Sequence, residues 1–170
     1  MVEAWRGSRI DAAVDGFLDD LYGTEARELV LDDGTRLASG GAAQVVAYLG
    51  HNRWMDRPGF DWAALEERAG LSTEVKGWLA IACHTYYYLQ PHLPAPQRTP
   101  LLLTADYLFP GGHAFEAAVR SFLEGGSYAA IREAAATGYA LGQGRPIGQV
   151  RQAFINPGDR RWASGHAPVP

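Results

Sequence analysis

The sequence is poor in the residues that build disulfide or zinc scaffolds. Its 170 residues include one cysteine, Cys83, and two methionines. A single cysteine cannot close an internal disulfide, which excludes a small disulfide-stapled module and leaves a free thiol. The sequence has no Cys pair and no His-x-x-x-His spacing, which argues against a zinc centre. We therefore expect a reducing compartment, no metal and no other cofactor.

Long apolar runs and a strong excess of one charge are also missing. The net charge is -4 and the pI is near 5.7, which gives no electrostatic case for binding nucleic acid or an anionic membrane. No apolar run approaches the roughly 20 residues of a membrane span. The first residues lack the apolar core of a signal peptide. These features predict a cytoplasmic protein that binds neither nucleic acid nor membranes.

The composition is that of one globular domain. Hydrophobic residues make up 47% of the chain and charged residues 20%, which is ordinary for a folded domain, and the length suffices for a sizeable core. We predict a single domain over residues 1–156. Residues 157–170 are predicted to be a C-terminal tail with little intrinsic order.

Apolar residues at helical spacing predict helices at both ends of the domain. The first, over residues 8–23, has Ser8 and Asp11 spaced as a capping box and Gly23 as its stop. A short helix over residues 60–70 is predicted to begin at Asp61, with Trp62 and Leu65 facing inward. The C-terminal half is predicted to be helical over residues 111–126, 127–142 and 145–158. In these segments Phe115, Val119, Phe122 and Leu123 share one face, and Pro146 suits a first turn.

Short apolar runs between turn residues predict strands. Residues 28–41 alternate in polarity around Asp33-Gly34, which indicates a short hairpin or a loop-like excursion. Residues 45–49, 78–82 and 101–105 are apolar on both faces, as strands of a sheet covered on both sides are. Strands that alternate with helices predict a three-layer α/β domain with a mainly parallel sheet.

Two of these strands end on residues that can perform chemistry. His51 follows the strand at 45–49, and Cys83 follows the strand at 78–82. Ligands and catalytic groups of open α/β sheets gather past the carboxyl ends of strands. If the strands are parallel neighbours, His51 and Cys83 emerge together. An imidazole beside a thiol can take its proton, and the backbone N–H groups of Asn52 and Cys83 would face a developing oxyanion.

The order of these motifs resembles the caspase-like cysteine peptidases. One apolar strand ends in Gly50-His51 and a later one ends in Ala82-Cys83. The stretch over residues 100–135, in which a strand gives way to a helix and then to an Ala-rich helix, is similar to bacterial CHAT domains. The similarity extends over residues 4–154. It implies a caspase-like fold and a cysteine-dependent hydrolase, a peptidase, with Cys83 as nucleophile, His51 as base and acid, and a peptide or protein as substrate.

Four departures from the family pattern qualify this resemblance. The family usually has Gly directly after the histidine, whereas this chain has Asn52. The histidine precedes the cysteine by 32 residues and the motif is Ala82-Cys83-His84-Thr85, which favours the bacterial branch and gives no reason to assume Asp specificity. Ile81 stands where related enzymes carry an acidic residue, so specificity for Arg or Lys does not carry over. Only residues 1–5 precede the first helix, where the family has a strand. We expect a truncated chain, a fold that dispenses with that strand, or an oligomer in which another chain supplies it.

Other interpretations stay open at this stage. The same fold could be a non-catalytic binding or scaffolding module with Cys83 buried in the core, or an unrelated flavodoxin-like binding domain. His84 is a weaker base candidate, because it would point away from Cys83 if the strand continued. Asp106 follows the third strand and is a candidate for a substrate pocket, or simply a loop carboxylate. Tyr86 to Tyr88 line a groove or pack in a loop.

Overall fold

The fold is built on a four-stranded sheet. The computed structural model describes residues 1–57, 59–69, 74–93, 98–109 and 111–164. Strands β1 and β2 form a separate hairpin, and the main sheet has the order β3-β4-β5-β6. The strands are β1 (Ala26–Val30), β2 (Arg36–Gly40), β3 (Val45–Leu49), β4 (Lys76–Ile81), β5 (Arg98–Thr104) and β6 (Phe154–Ile155).

Helices flank both faces of this sheet. Single 3-10 turns at Gly7–Arg9 and Arg151–Ala153 and a longer one at Arg160–Ser164 complete the described chain. The α-helices are α1 (Ile10–Tyr22), α2 (Trp62–Ala69), α3 (Thr85–Leu89), α4 (His113–Leu123), α5 (Tyr128–Gln143) and α6 (Ile147–Val150). No helix in the described ranges is long and apolar enough to cross a bilayer.

The predicted parallel sheet is confirmed at the level of an α/β fold. β3 pairs with β4 in parallel, and β4 pairs with β5 in parallel. The first of these strands has the predicted bounds, while β4 and β5 each begin earlier and end one residue earlier than predicted. β6 joins β5 in the antiparallel sense. The sheet is therefore mixed, with three parallel strands and one antiparallel edge strand.

Alternate strand residues enter two separate cores, because successive side chains of a strand point to opposite faces. On one face, Trp78 and Ala80 of β4 pack with α1 and with the aromatic rings of residues 48–62. On the other face, Leu79 and Ile81 pack with α4 and α5. β4 and β5 are thus covered on both sides, as expected.

β3 departs from the expected two-sided burial. Val46 and Tyr48 are buried against α1, but Ala47 and Leu49 on the other face are exposed. Of the β3 residues, Val45 packs against the core that α4 and α5 form. Because these helices lie over β4 to β6, the edge strand keeps one open face, and the prediction of full coverage is wrong for β3.

Local signals at the helix ends and the hairpin are mostly confirmed. Gly23 ends α1 with a φ of 75°. At the start of α2, Ala64 N donates to Asp61 Oδ1 at 3.0 Å. Gly34, with a φ of 83°, lies in the turn of the β1-β2 hairpin. The capping box is wrong: Ser8 lies inside the 3-10 turn, and Arg9 precedes α1 without a side-chain cap. Trp62 packs against the core, while the side chain of Leu65 lies outside the described part.

The C-terminal region differs from its prediction in three places. The predicted helix over 145–158 ends at Val150, with Pro146 as N-cap, and its later residues form β6, since Phe154 and Ile155 complete the sheet beside β5. Leu123 is 76% exposed rather than inward. Residues 157–164 of the expected tail contact the domain, because Trp162 packs on Tyr86 with ring centres 5.3 Å apart. Residues 165–170 lie outside the described ranges.

Candidate functional site

The sheet brings the two predicted strand ends to one edge. Leu49 of β3 and Ile81 of β4 are register partners, and Gly50 N donates to the Ile81 carbonyl at 3.3 Å. The pairing therefore continues one residue past β3, and neighbouring strands lie about 4.8 Å apart. His51 and Cys83 both follow directly at this carboxyl edge.

Cys83 is half-buried and faces the loop that follows β5. Leu108 N lies 3.4 Å from Cys83 Sγ as a donor, and Sγ lies 3.7 Å from the Leu108 carbonyl oxygen. The thiol thus has a built-in donor that sequence reasoning did not identify.

Buried threonines fix the end of β4 beside the cysteine. Thr85 Oγ1 donates to the Ala80 carbonyl at 2.7 Å, and Thr104 N donates to Thr85 Oγ1 at 3.0 Å. Thr104 Oγ1 also donates to the Ala82 carbonyl. These bonds tie the ends of β4 and β5 to the start of α3, so the backbone on either side of Cys83 is anchored.

His51 is at the predicted place but its ring bonds to another residue. The side chain is 58% exposed, and its Nε2 is paired with Asp56 Oδ2. The Tyr48 hydroxyl donates to the His51 carbonyl at 2.7 Å, and burial raises the pKa of Tyr48 to about 12. No hydrogen bond joins the His51 and Cys83 side chains in the described structure. The fold brings their backbones together and directs the two side chains to different partners.

Asn52 connects the two strand ends through its side chain. It is fully buried, its Nδ2 donates to the Cys83 carbonyl, and its Oδ1 accepts from Trp54 N at 3.1 Å. The sequence predicted a role for Asn52 through its backbone N–H alone. The role of its side-chain amide, which donates to one segment and accepts from another, depends on residues that only the fold brings together.

His84 is a second imidazole close to the thiol. β4 ends at Ile81, so the continued strand that would turn His84 away does not exist. His84 has φ 55, its N–H donates to the Asp106 carbonyl at 3.1 Å, and its Nδ1 is buried without a hydrogen-bond partner. Its ring meets Tyr107 edge-on at 4.3 Å. A positive φ is unusual for a residue other than glycine, and here it occurs directly beside the candidate nucleophile.

Asp106 follows β5, and its carbonyl accepts a hydrogen bond from the N–H of His84, the residue after Cys83. It is half-buried, and its Oδ1 accepts from Tyr107 N at 2.7 Å. Tyr107 and Phe109 next to it are large exposed aromatic side chains.

The three consecutive tyrosines, Tyr86 to Tyr88, lie in α3 instead of a loop. Tyr86 is buried, and its hydroxyl donates to the Trp162 carbonyl at 2.8 Å.

Neither a metal centre nor a known relative accounts for this site. The described residues contain no group of three His, Cys, Asp or Glu side chains able to hold a metal ion. No protein family model matches the chain, and no curated protein or solved structure is significantly similar to it.

Proposed function

We propose that the chain is a caspase-like α/β domain that acts as a cysteine-dependent hydrolase on peptide bonds in the cytoplasm, through a His51–Cys83 dyad. One observation carries the proposal: β3 and β4 are parallel neighbours in register up to Leu49 and Ile81. His51 and Cys83 therefore follow the ends of adjacent strands at the edge where α/β proteins gather reactive groups.

In the proposed reaction Cys83 attacks the carbonyl carbon of the scissile peptide bond. The Sγ–C bond forms while the thiol proton passes to His51, and the backbone N–H groups of Asn52 and Cys83 donate to the oxyanion. The C–N bond then breaks, and His51 returns the proton to the departing amine. Water hydrolyses the thioester and regenerates the thiol, so no cofactor or metal is required.

The present side-chain positions correspond to a resting arrangement. His51 must exchange its contact with Asp56 for one with Cys83, and this exchange is inexpensive because both side chains of the contact are exposed. The Asn52 bridge keeps the two strand ends in place during the movement. The half-buried thiol must also become accessible past Leu108.

The substrate is a peptide or protein.

The free edge of β3 is the proposed site at which a further strand pairs with the sheet. Within the described residues β3 pairs on one side only, with β4. We propose that an N-terminal segment absent from this sequence, or a second copy of the chain, pairs with the other side. Nucleic acid and membranes are not proposed as partners.

A non-catalytic binding or scaffolding module is the competing function. Two observations favour it: the Cys83 thiol contacts the Leu108 backbone, and His51 is paired with Asp56 instead of the thiol. In that case Cys83 fills space at the edge of the core, as free cysteines often do. The two functions predict different reactivity of one atom, Cys83 Sγ.

The rate of Cys83 alkylation by iodoacetamide between pH 5 and 9 separates the two functions. Because Cys83 is the only cysteine, intact mass reports on this one thiol. A thiolate held by His51 is expected to label rapidly at pH 5 to 6, and His51→Ala is expected to reduce that rate at least tenfold. His113→Ala, which removes an exposed imidazole at the start of α4, is the matched control and is expected to label like the wild type.

His84→Ala identifies which imidazole acts on the thiol. Loss of rapid acidic labelling in His84→Ala but not in His51→Ala would transfer the role of base to His84. If Cys83 is labelled only upon unfolding in all variants, the hydrolase function is rejected in favour of the scaffolding module.

A further inference from the structure

Two buried cations lie side by side at the amino-terminal ends of β4 and β5. Lys76 begins β4, Arg98 begins β5, and the two residues are register partners. Each is 1% exposed. Neighbouring strands are about 4.8 Å apart, so both side chains start from one small region. This region lies at the sheet edge opposite Cys83, about 20 Å away along β4.

Neither cation contacts a carboxylate among the described residues. Lys76 Nζ donates to the carbonyl oxygens of Gly41 and Ala43, the latter at 2.8 Å. Within the described chain the Arg98 side chain has no hydrogen-bond partner: its Nε and both Nη atoms are buried and unpartnered. The guanidinium carbon lies 4.8 Å from the centre of the Tyr22 ring. The N–H donors of Arg98 are therefore unused.

Such a pair is costly in an otherwise apolar environment. Arginine stays protonated in proteins, so Arg98 keeps its positive charge although it is buried. Burial lowers the pKa of Lys76, and the charge of Arg98 lowers it as well, although Glu74 and Asp20 act in the opposite direction. A buried charge without hydrogen bonds or a counter-ion is strongly unfavourable. The unused donors of Arg98 call for an anion that accepts from them.

The adjoining chain does not supply that anion. Glu74, two residues before Lys76, and Asp20 of α1 raise the pKa of Lys76. Neither accepts a hydrogen bond from Arg98, whose side-chain N–H donors have no partner. The C-terminal end of α1 at Tyr22 presents the negative end of a helix dipole, equivalent to about half a charge, and it too leaves these donors unused.

We infer that the Lys76–Arg98 pair binds a phosphate group. Guanidinium groups bind phosphate through two parallel N–H donors, which are the groups left unused on Arg98. A phosphate group carries nearly two negative charges at pH 7 and so balances both cations, whereas a single carboxylate balances one. Lys76 contributes its charge and retains its bonds to Gly41 and Ala43. The site is independent of the proposed hydrolase.

Thermal unfolding of the full chain at constant ionic strength tests this site. The protein is first unfolded and refolded in phosphate-free buffer at pH 7.5. Sodium chloride is then replaced by inorganic phosphate, glycerol phosphate or acetate. At ten times its dissociation constant, phosphate is expected to raise Tm by about 3–6 °C, and acetate by less. An equal shift with glycerol phosphate identifies a site for phosphate esters, and a shift with inorganic phosphate alone identifies a site for the free ion.

Arg98→Met removes the charge but keeps an apolar chain, and it is expected to abolish the phosphate-dependent shift. Arg36→Met, at an exposed arginine paired with Glu28, is the matched control and is expected to keep the shift. The absence of a shift in the wild type, or the same shift in Arg98→Met, overturns the inference. If Arg98→Met does not fold, Arg98→Lys keeps the charge without the paired donors. That variant is expected to bind phosphate at least tenfold more weakly by 31P NMR titration, and unchanged binding also overturns the inference.

Discussion

At the scale of single residues, Asn52 holds the candidate site together. Its amide occupies a fully buried position between the loop after β3 and the residue after β4. Removal of a buried amide leaves the acceptor and the donor that it bonded without a partner. This lowers the free energy of unfolding. His51 and Cys83 therefore depend on Asn52 for their relative backbone positions, although Asn52 takes no part in proton transfer.

Asn52→Ala is expected to lower the free energy of unfolding by about 2–3 kcal/mol, because the Cys83 carbonyl and Trp54 N–H lose their partner. Urea denaturation measures this change. Asn52→Asp retains the acceptor for Trp54 but not the donor to Cys83, and it is expected to destabilise the fold as well. Unchanged stability in both variants would show that water replaces the amide and that Asn52 is not a clamp.

At the scale of elements, α4 and α5 pack closely because α5 carries glycines at the contact. A Cβ on Gly138 would lie 2.4 Å from the His113 carbonyl oxygen, and a Cβ on Gly142 would lie 2.3 Å from the His113 ring. The buried residues of the facing surfaces are mainly alanines. Small side chains on both helices let their backbones approach, and the pair then covers β4 and β5.

Gly138→Ala is expected to destabilise the protein by about 1–3 kcal/mol, since the added methyl group collides with the backbone of α4. Gly16→Ala in α1 is the matched control, because nothing lies within 4 Å of its new Cβ. Alanine is the better helix former by up to about 1 kcal/mol, so Gly16→Ala is expected to stabilise. Thermal unfolding of both variants measures the difference, and equal shifts would contradict the close approach of the helices.

At the scale of the whole molecule, the C-terminal segment closes the outer edge of the sheet. Arg161 donates to the carbonyls of Gln152 at 2.8 Å and Phe154 at 3.0 Å, beside β6. Asp159 is 7% exposed and is shared by Arg132 and Arg161. These contacts connect α5, β6 and the last 3-10 turn. An edge strand with satisfied carbonyls is protected against pairing with other chains.

Asp159 is expected to make this closure acid-sensitive. The Arg161 guanidinium is the largest influence that lowers the pKa of Asp159 from 3.8 to about 2. Because the folded pKa lies below the unfolded one, the stabilisation of about 2 kcal/mol is present above pH 4 and is lost as the pH falls from about 4 to 2. Asp159→Asn is expected to flatten the dependence of unfolding free energy on pH in that range.

The control for this prediction is Glu116→Gln, which removes an exposed partner of Arg120. Exposed pairs contribute little, so this variant is expected to retain the acid dependence of the wild type. Denaturant unfolding at pH 2 to 5 gives both curves. Identical curves for Asp159→Asn and the wild type would show that Asp159 does not link folding to pH.

Elements whose signals are local could be predicted from the sequence alone. Apolar periodicity predicts α1, α4, α5 and the three parallel strands, because burial of one or both faces leaves a repeating pattern. Gly23, Gly34 and Asp61 mark turns and caps, since their conformations or side chains act within a few residues. The convergence of the two strand ends followed from the parallel sheet that these signals predict.

Features that depend on distant partners arise only when the chain folds. Phe154 and Ile155 lie in a helical pattern but become β6, because β5 offers an edge to pair with. The bonds from Asn52 to Cys83 and from His51 to Asp56 direct the site's side chains. Lys76 and Arg98 are buried because neighbouring strands enclose them. Local pattern carries no information on such pairs, since their energies arise only when separate segments meet.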